Sequence, residues 1–164
     1  MDIQHLDFLD TADISRAYAD KLLANVKHVE KKSFPAIEAF NFDTELKKRN
    51  THLVCAVEVN QNSKKDAPLI TYIVYARTKR TALLHKICVL QQHRGQGIGK
   101  QMMAWLLVEL AKKGCESVQL WVDESREPAR ALYASLGFEQ VDHVVDYYAP
   151  GRAGLKMVLR LKND

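Results

Sequence analysis

The sequence lacks an apolar run approaching the roughly 20 residues that a membrane-spanning helix needs. Its first residues, Met1-Asp2-Ile3-Gln4-His5, lack the charged and hydrophobic regions of a signal peptide, so a cytoplasmic protein, or one also found in the nucleus, is the expectation. Cysteine is scarce: Cys55, Cys88 and Cys115 stand alone, with no Cys-x-x-Cys and no histidine at zinc spacing. That argues against a disulfide framework and a zinc site, and leaves reduced, mostly buried thiols and no metal as the expectation. A strong excess of one sign of charge is missing too. The net charge of +4 is modest, and Lys and Arg fall in short runs such as Lys31-Lys32, Lys47-Lys48-Arg49 and Lys112-Lys113. A nucleic-acid footprint needs a larger basic stripe, so neither nucleic acid nor membrane is expected as a partner. With no repeat, low-complexity tract or linker, the 164 residues read as a single domain over 1–164.

What is present is an ordinary globular composition, 47% hydrophobic and 27% charged. Ile3 to Phe8 reads as a strand, followed by a helix capped by Thr11 or Asp13 and carrying Ile14, Ala17, Tyr18, Leu22 and Val26 on one face. Pro35 breaks the chain, and a short helix is expected from Asp43 or Thr44 to Arg49. Thr51 to Val59 and Leu69 to Arg77 are rich in β-branched residues and form a hairpin with a mobile tip at Asn60 to Pro68. Thr81 to Leu90 adds a strand, and a long amphipathic helix runs from Ile98 to Lys113 until Gly114 stops it. Ser117 to Val122 follows a strand, loop and helix, so it should lie parallel to Thr81–Leu90 through a right-handed crossover. A helix from near Pro128 to Gly137 and strands at Glu139–Tyr147 and Leu155–Lys162 complete a mixed α/β chain.

Glycine numbers only 7 residues, three of them in Arg94-Gly95-Gln96-Gly97-Ile98-Gly99-Lys100, a stretch whose spacing departs from the common phosphate loops and is informative for that reason. A glycine turn entering a helix lets backbone N–H groups approach an anion, the helix N-terminus adds unpaired donors, and Arg94 and Lys100 supply countercharge. A Walker loop would need Ser or Thr after Lys100, where Gln101 stands, and the Gly-x-Gly-x-Gly order departs from a Rossmann fingerprint. Arg94-x-x-Gly97-x-Gly99 resembles the acetyl-CoA pyrophosphate loop of the GCN5-related N-acetyltransferase (GNAT) superfamily, and Ile87-Cys88-Val89-Leu90 resembles its fourth strand.

Ala129, Leu132, Tyr133, Gly137 and Phe138 match a second signature of that superfamily, with Arg126 where Asn is usual. The resemblance implies a GNAT fold: a mostly antiparallel twisted sheet of about seven strands, a central parallel pair splayed at the cofactor cleft, and helices on both faces. It implies acetyl-CoA as co-substrate, held by Ile87, Cys88, Val89, Arg94, Gly95, Gln96, Gly97, Ile98, Gly99, Lys100, Arg126, Arg130 and Tyr133. The resemblance makes Tyr133 the general acid for the departing thiolate; with Asn replaced by Arg126, Arg130 either compensates by approaching the 3′-phosphate or faces solvent. His85 is similar in its offset from Arg94 to a catalytic histidine of arylalkylamine N-acetyltransferases, and a neutral imidazole can accept a proton. Asp123 or Glu124, through water, is the alternative base.

The acceptor signals point two ways. The segment around Phe34 resembles the substrate side of the arylalkylamine enzymes, whereas Asp146-Tyr147-Tyr148 with Gly151 resembles the terminal hairpin of ribosomal-protein and N-terminal acetyltransferases. Phe34, Asp123, Tyr147 and Tyr148 are therefore the substrate-binding candidates. The expected acceptor is an amine-bearing peptide, protein or small molecule, with a peptide or protein amine preferred over an arylalkylamine or polyamine. The reading from another class is a non-catalytic acyl-CoA-binding regulator, and the expected state is monomer or homodimer.

Overall fold

The computed structural model describes residues 6–35, 39–58 and 67–162. Thr11–Asp13 forms a single 3-10 turn, capped by Asp10, whose Oδ1 accepts from the Ala12 N–H at 2.9 Å. The long helix α1 (Arg16–Ser33) starts later than expected, because Ser15 Oγ accepts from the Tyr18 N–H at 3.3 Å and caps it. Thr11 is unsuited to that cap, since its hydroxyl donates to the Leu53 carbonyl at 3.1 Å. Ile14 consequently precedes the helix and Ala17 is exposed; the buried stripe is Leu22, Val26 and Glu30, one residue per turn. The helix stops ahead of Pro35, as proline requires. The short helix α2 (Phe42–Glu45) begins before Asp43, because Asn41 is its cap and Phe42 is buried.

Among the described residues, seven strands follow the order β1-β2-β3-β4-β5-β7-β6 in one mixed sheet. They are β1 (Leu6–Asp10), β2 (Thr51–Glu58), β3 (Leu69–Thr78), β4 (Thr81–Val89), β5 (Ser117–Asp123), β6 (Glu139–Ala149) and β7 (Arg152–Arg160). β1 pairs antiparallel with β2, from Leu6↔Glu58 to Asp10↔Val54. The parallel ladder between β4 and β5 runs from Thr81↔Ser117 to Leu84↔Leu120. The crossover joining them contains α3 (Ile98–Lys112), closed by Gly114 at φ 89°. α4 (Glu127–Ser135) follows β5 and has proline in its first turn, where the missing N–H is harmless. β6 runs further than expected and β7 starts earlier, at Arg152 rather than Leu155. Ile3 to His5 of the first expected strand, Val59 at the end of the next, and residues 60–66 of the expected hairpin tip lie outside the described residues.

The chain divides into two compact units, with boundaries within β3 between Tyr75 and Ala76, within β4 between His85 and Lys86, and within α3 between Gly99 and Lys100. The first comprises residues 1–75 and 86–99. Its core gathers Leu22, Val26, Phe42, Leu53, Cys55, Val57, Leu69, Tyr72, Val74 and Cys88. The second comprises residues 76–85 and 100–164. Its fully buried side chains include Met102, Met103, Leu106, Leu110, Val118 and Leu120. All three cysteines are buried and free. Among the described residues, no helix is long and apolar enough to cross a membrane.

Candidate functional site

In the first unit, the turn between β4 and α3 has the geometry that its glycines suggest. Gly95 and Gly97 both adopt left-handed backbone, at φ 77° and 76°. A Cβ at either position would meet nothing within 4 Å, so the requirement for glycine is conformational and not one of crowding. The turn is exposed and runs into buried Ile98 at the first residue of α3, whose leading N–H groups have no intrahelical partner. Arg94 is exposed, and its Nε–H donates to the Val89 carbonyl at 2.9 Å, tying the cation to the end of β4. The Thr71 hydroxyl donates to the Cys88 carbonyl at 2.7 Å, which turns Cys88 toward β3. Strand alternation then turns the backbone groups of Ile87 and Val89 to the opposite edge.

A charged cluster that the sequence did not announce also lies in this unit. Glu30, buried in α1, accepts from the Phe40 N–H at 2.9 Å, from the Tyr72 hydroxyl and from Lys86 Nζ. Burial and that hydrogen bond to Glu30 raise the Tyr72 pKa above its ordinary value, so the phenol is a proton donor throughout. Phe34 lies over the Lys86 ammonium, 3.6 Å from ring centroid to nitrogen, and so serves as one wall of this cluster. Removing one partner of such a buried ion pair is strongly destabilising, whereas its net contribution when intact is small.

In the second unit, Tyr133 is the buried residue of α4, with its ring 5.8 Å from that of Phe138. Burial, followed by the proximity of Tyr148, pushes its pKa up to about 12, with Arg126 pulling the other way. It is therefore a protonated phenol at any physiological pH. Arg130 Nη1 donates to the Glu124 carbonyl at 2.9 Å and bridges the β5–α4 loop. Arg126 precedes α4 without a side-chain cap bond. His85 is exposed, one residue past the β4–β5 ladder.

Asp123, at the end of β5, is buried and satisfied on both oxygens. Its Oδ1 accepts from the Ser125 N–H at 2.9 Å and the Ser125 hydroxyl at 2.8 Å; its Oδ2 accepts from Arg152 Nε at 2.9 Å and Nη2 at 2.7 Å. Burial pulls the Asp123 pKa up, yet the Ser125 bonds and the Arg152 guanidinium together hold it below the ordinary carboxylate range. A carboxylate so held is a poor base. Trp121, on the same face of β5, stacks on Tyr147 with ring centroids 4.3 Å apart and planes 9° apart. Tyr148 stands edge-on to Tyr147 at 4.9 Å, and Arg152 lies 5.6 Å from the Tyr148 ring. Glu124 Oε2 and His143 Nε2 pair at 3.2 Å.

Phe34, Ile87, Cys88, Val89 and Arg94 to Gly99 thus belong to the first unit, and His85, Lys100, Asp123, Arg126, Arg130, Tyr133, Tyr147 and Tyr148 to the second. Sequence reasoning missed Glu30, Lys86, Trp121 and Arg152. A cavity of about 500 Å³ lies at the Ser117 end of β5, lined by Glu116, Ser117, Gln119, Val158, Arg160 and Leu161; it contains none of the candidates. Among the described residues, no group of three His, Cys, Asp or Glu side chains could hold a metal ion.

A family model described as the acetyltransferase (GNAT) family matches residues 17–138. The [ribosomal protein bS18]-alanine N-acetyltransferase of Escherichia coli (strain K12) is 35% identical over 91 residues, 56% of this chain and 59% of that relative. The match therefore spans less than two thirds of the relative's length. The crystal structure of the ribosomal-protein-S18-alanine N-acetyltransferase from Escherichia coli superposes with a TM-score of 0.75 at 22% identity, covering 96% of this chain and 94% of that one. Spermidine N-acetyltransferase from Vibrio cholerae, in complex with CoA and spermine, superposes with a TM-score of 0.73 at 13% identity, covering 96% of each chain. At these identities the structural likeness concerns the fold.

Proposed function

The chain belongs to the acetyltransferase (GNAT) family, and on that footing we propose that it transfers the acetyl group of acetyl-CoA to a primary amine, preferring the amine of a peptide or protein. The activity is assigned to one domain spanning residues 1–164. The observation that carries the reading is the pair of left-handed glycines, Gly95 and Gly97, opening α3 between Arg94 and Lys100. Such a turn fits a pyrophosphate: the N–H groups of the turn and first helical residues bind its oxygens, and the two cations add countercharge. The backbone edge of Ile87 and Val89 suits an amide-rich pantetheine arm, which can pair with it as an added strand would.

Chemistry follows from the protonation states. The amine nitrogen must be neutral to attack the thioester carbonyl; a C–N bond forms, the C–S bond breaks, nitrogen loses a proton and sulfur gains one. For a lysine-like amine on the order of one molecule in a thousand is neutral at pH 7, whereas for an α-amino group it is roughly a tenth. An α-amino acceptor therefore needs little help from a base, in keeping with Asp123 being held as a salt-bridged carboxylate and His85 being exposed. His85, or water, takes the nitrogen's proton. Tyr133, with a pKa of about 12, faces a thiol whose ordinary value is near 8.5. Full transfer onto a free thiolate would be uphill, so its role is a hydrogen bond to sulfur as the C–S bond breaks, and the released thiolate takes its proton from solvent. Tyr147 and Tyr148 are assigned to the acceptor side.

The test is an acceptor panel of alanine-initiated peptides, lysine peptides, spermidine and arylalkylamines, with mass detection of the acetylated product. Preferential modification of a peptide amine is expected. Product with spermidine or an arylalkylamine alone would move the assignment to small amines, and acetyl-CoA binding with no product from any acceptor would leave a non-catalytic acyl-CoA-binding module.

A further inference from the structure

Between Val144 and Ala149, β6 departs from a regular strand. Val144 pairs with Gly154 and Ala149 with Arg152, so five residue steps of β6 answer two of β7. Within this bulge Asp146 takes a left-handed backbone, φ 57°, that is disfavoured for a residue with a Cβ. The Gly151 N–H holds it there by donating to Asp146 Oδ1 at 2.7 Å. Bulges re-aim side chains, and here Tyr147 is laid flat on Trp121. Gly154 makes room for the ring: a Cβ at that position would lie 2.6 Å from Tyr147 Cδ1. Three local features thus converge on one side chain, yet Tyr147 remains 44% exposed. Burial does not account for so much ordering of an exposed ring, whereas preorganisation of a contact surface does. Trp121, Tyr147 and Tyr148 share the second unit with Tyr133, and Tyr148 stands edge-on to Tyr147.

We propose that Trp121 is a positioning residue for the acceptor: its indole holds the Tyr147 ring as a flat wall along which the peptide lies beyond its reacting α-amino group. The inference rests on the peptide-amine reading above. Trp121 touches no reacting atom, so its removal should act on acceptor affinity and not on turnover. An aromatic pair of this kind corresponds to about three- to tenfold in an equilibrium constant.

The experiment uses an octapeptide with an N-terminal alanine as the probe. Trp121→Ala is expected to raise its KM about three- to tenfold, with kcat and the acetyl-CoA Kd within twofold; Trp121→Phe is expected to restore KM. Gly154→Ala, which displaces Tyr147 while leaving Trp121 in place, should reproduce the rise and keeps the test open if Trp121→Ala folds poorly. In a Trp105→Phe background, the fluorescence of Trp121 should change saturably as the octapeptide is added with CoA. Peptide turnover with an unchanged KM in both Trp121→Ala and Gly154→Ala overturns the positioning role alone. Acetylation of spermidine with no acetylation of the octapeptide by the unmodified protein overturns the peptide reading itself, and the inference with it.

Discussion

The turn that opens α3 and the β6–β7 hairpin both depend on left-handed backbone and put it to opposite uses. In the turn, Gly95 and Gly97 carry no side chains, and the geometry presents the peptide N–H groups themselves. In the hairpin, Asp146 keeps its side chain as a brace, and the geometry presents a neighbour's ring. The first kind of site binds through groups that every residue has and needs only permission from glycine. The second binds through particular side chains that distant residues must hold. An anion-binding turn should therefore tolerate much of its surroundings changing, whereas the hairpin should fail piecemeal.

The sharpest separation should come from a residue belonging to neither region. Tyr133→Phe removes the hydrogen-bond donor to sulfur and leaves the ring, so kcat should fall about 100-fold while the acetyl-CoA Kd and the acceptor KM stay within threefold; stopped-assay kinetics with isothermal titration would show it. Unchanged turnover removes Tyr133 from the chemistry. With Tyr133 protonated up to about pH 12, the wild-type rate should also show no alkaline fall from this group below pH 10. Next in size, Gly99→Glu places a carboxylate where the pyrophosphate is assigned, and acetyl-CoA affinity should weaken roughly tenfold or more. If acceptor KM moves and acetyl-CoA affinity does not, the division between the two regions is wrong.

Asp123→Asn should lower stability by about 1–3 kcal/mol, since Arg152 loses its charged acceptor. The pH dependence has a definite sign. The folded-state pKa of Asp123 is depressed, so its contribution is complete above the ordinary value of 3.8 and is lost as pH falls through the lower folded value. Thermal melts should show the variant converging on the parent as the solution is acidified through that window; parallel curves would mean that the carboxylate contributes nothing specific. The smallest effect is expected from His85→Ala, a flattening of the acid limb of the rate profile. An unaltered limb assigns proton removal to water.

The turn was legible because its elements are consecutive: Arg94, the glycines and the opening of α3 occupy one stretch that only a few anion-binding geometries use. The β4-α3-β5 crossover and the Tyr133 helix were legible for the same reason, each being a local pattern with local stop signals such as Gly114 and Gly137. Helix starts were less so, because several hydroxyl and carboxylate residues competed for one cap and a tertiary bond from Thr11 to Leu53 decided between them. The side-chain clasps were invisible. Arg152 meets Asp123 across 29 residues and Lys86 meets Glu30 across 56, with no periodicity to relate them. Glu30 even lies on the apolar stripe of α1, where a carboxylate reads as an interruption until Lys86, Tyr72 and the Phe40 N–H are seen around it. The brace from Asp146 to the Gly151 N–H was equally unmarked, because it spans five residues and not the two of an Asx turn.

Arg94 is lashed to Val89 by its Nε–H, and both it and Lys100 are exposed. Their attraction for a polyanion is consequently damped by mobile ions over about 8 Å at physiological ionic strength. Dipoles of amides in direct contact with phosphate oxygens are damped far less. Raising salt should slow the first encounter with acetyl-CoA and then reach a floor, because what holds the molecule once it has arrived is set by backbone angles that no electrolyte alters.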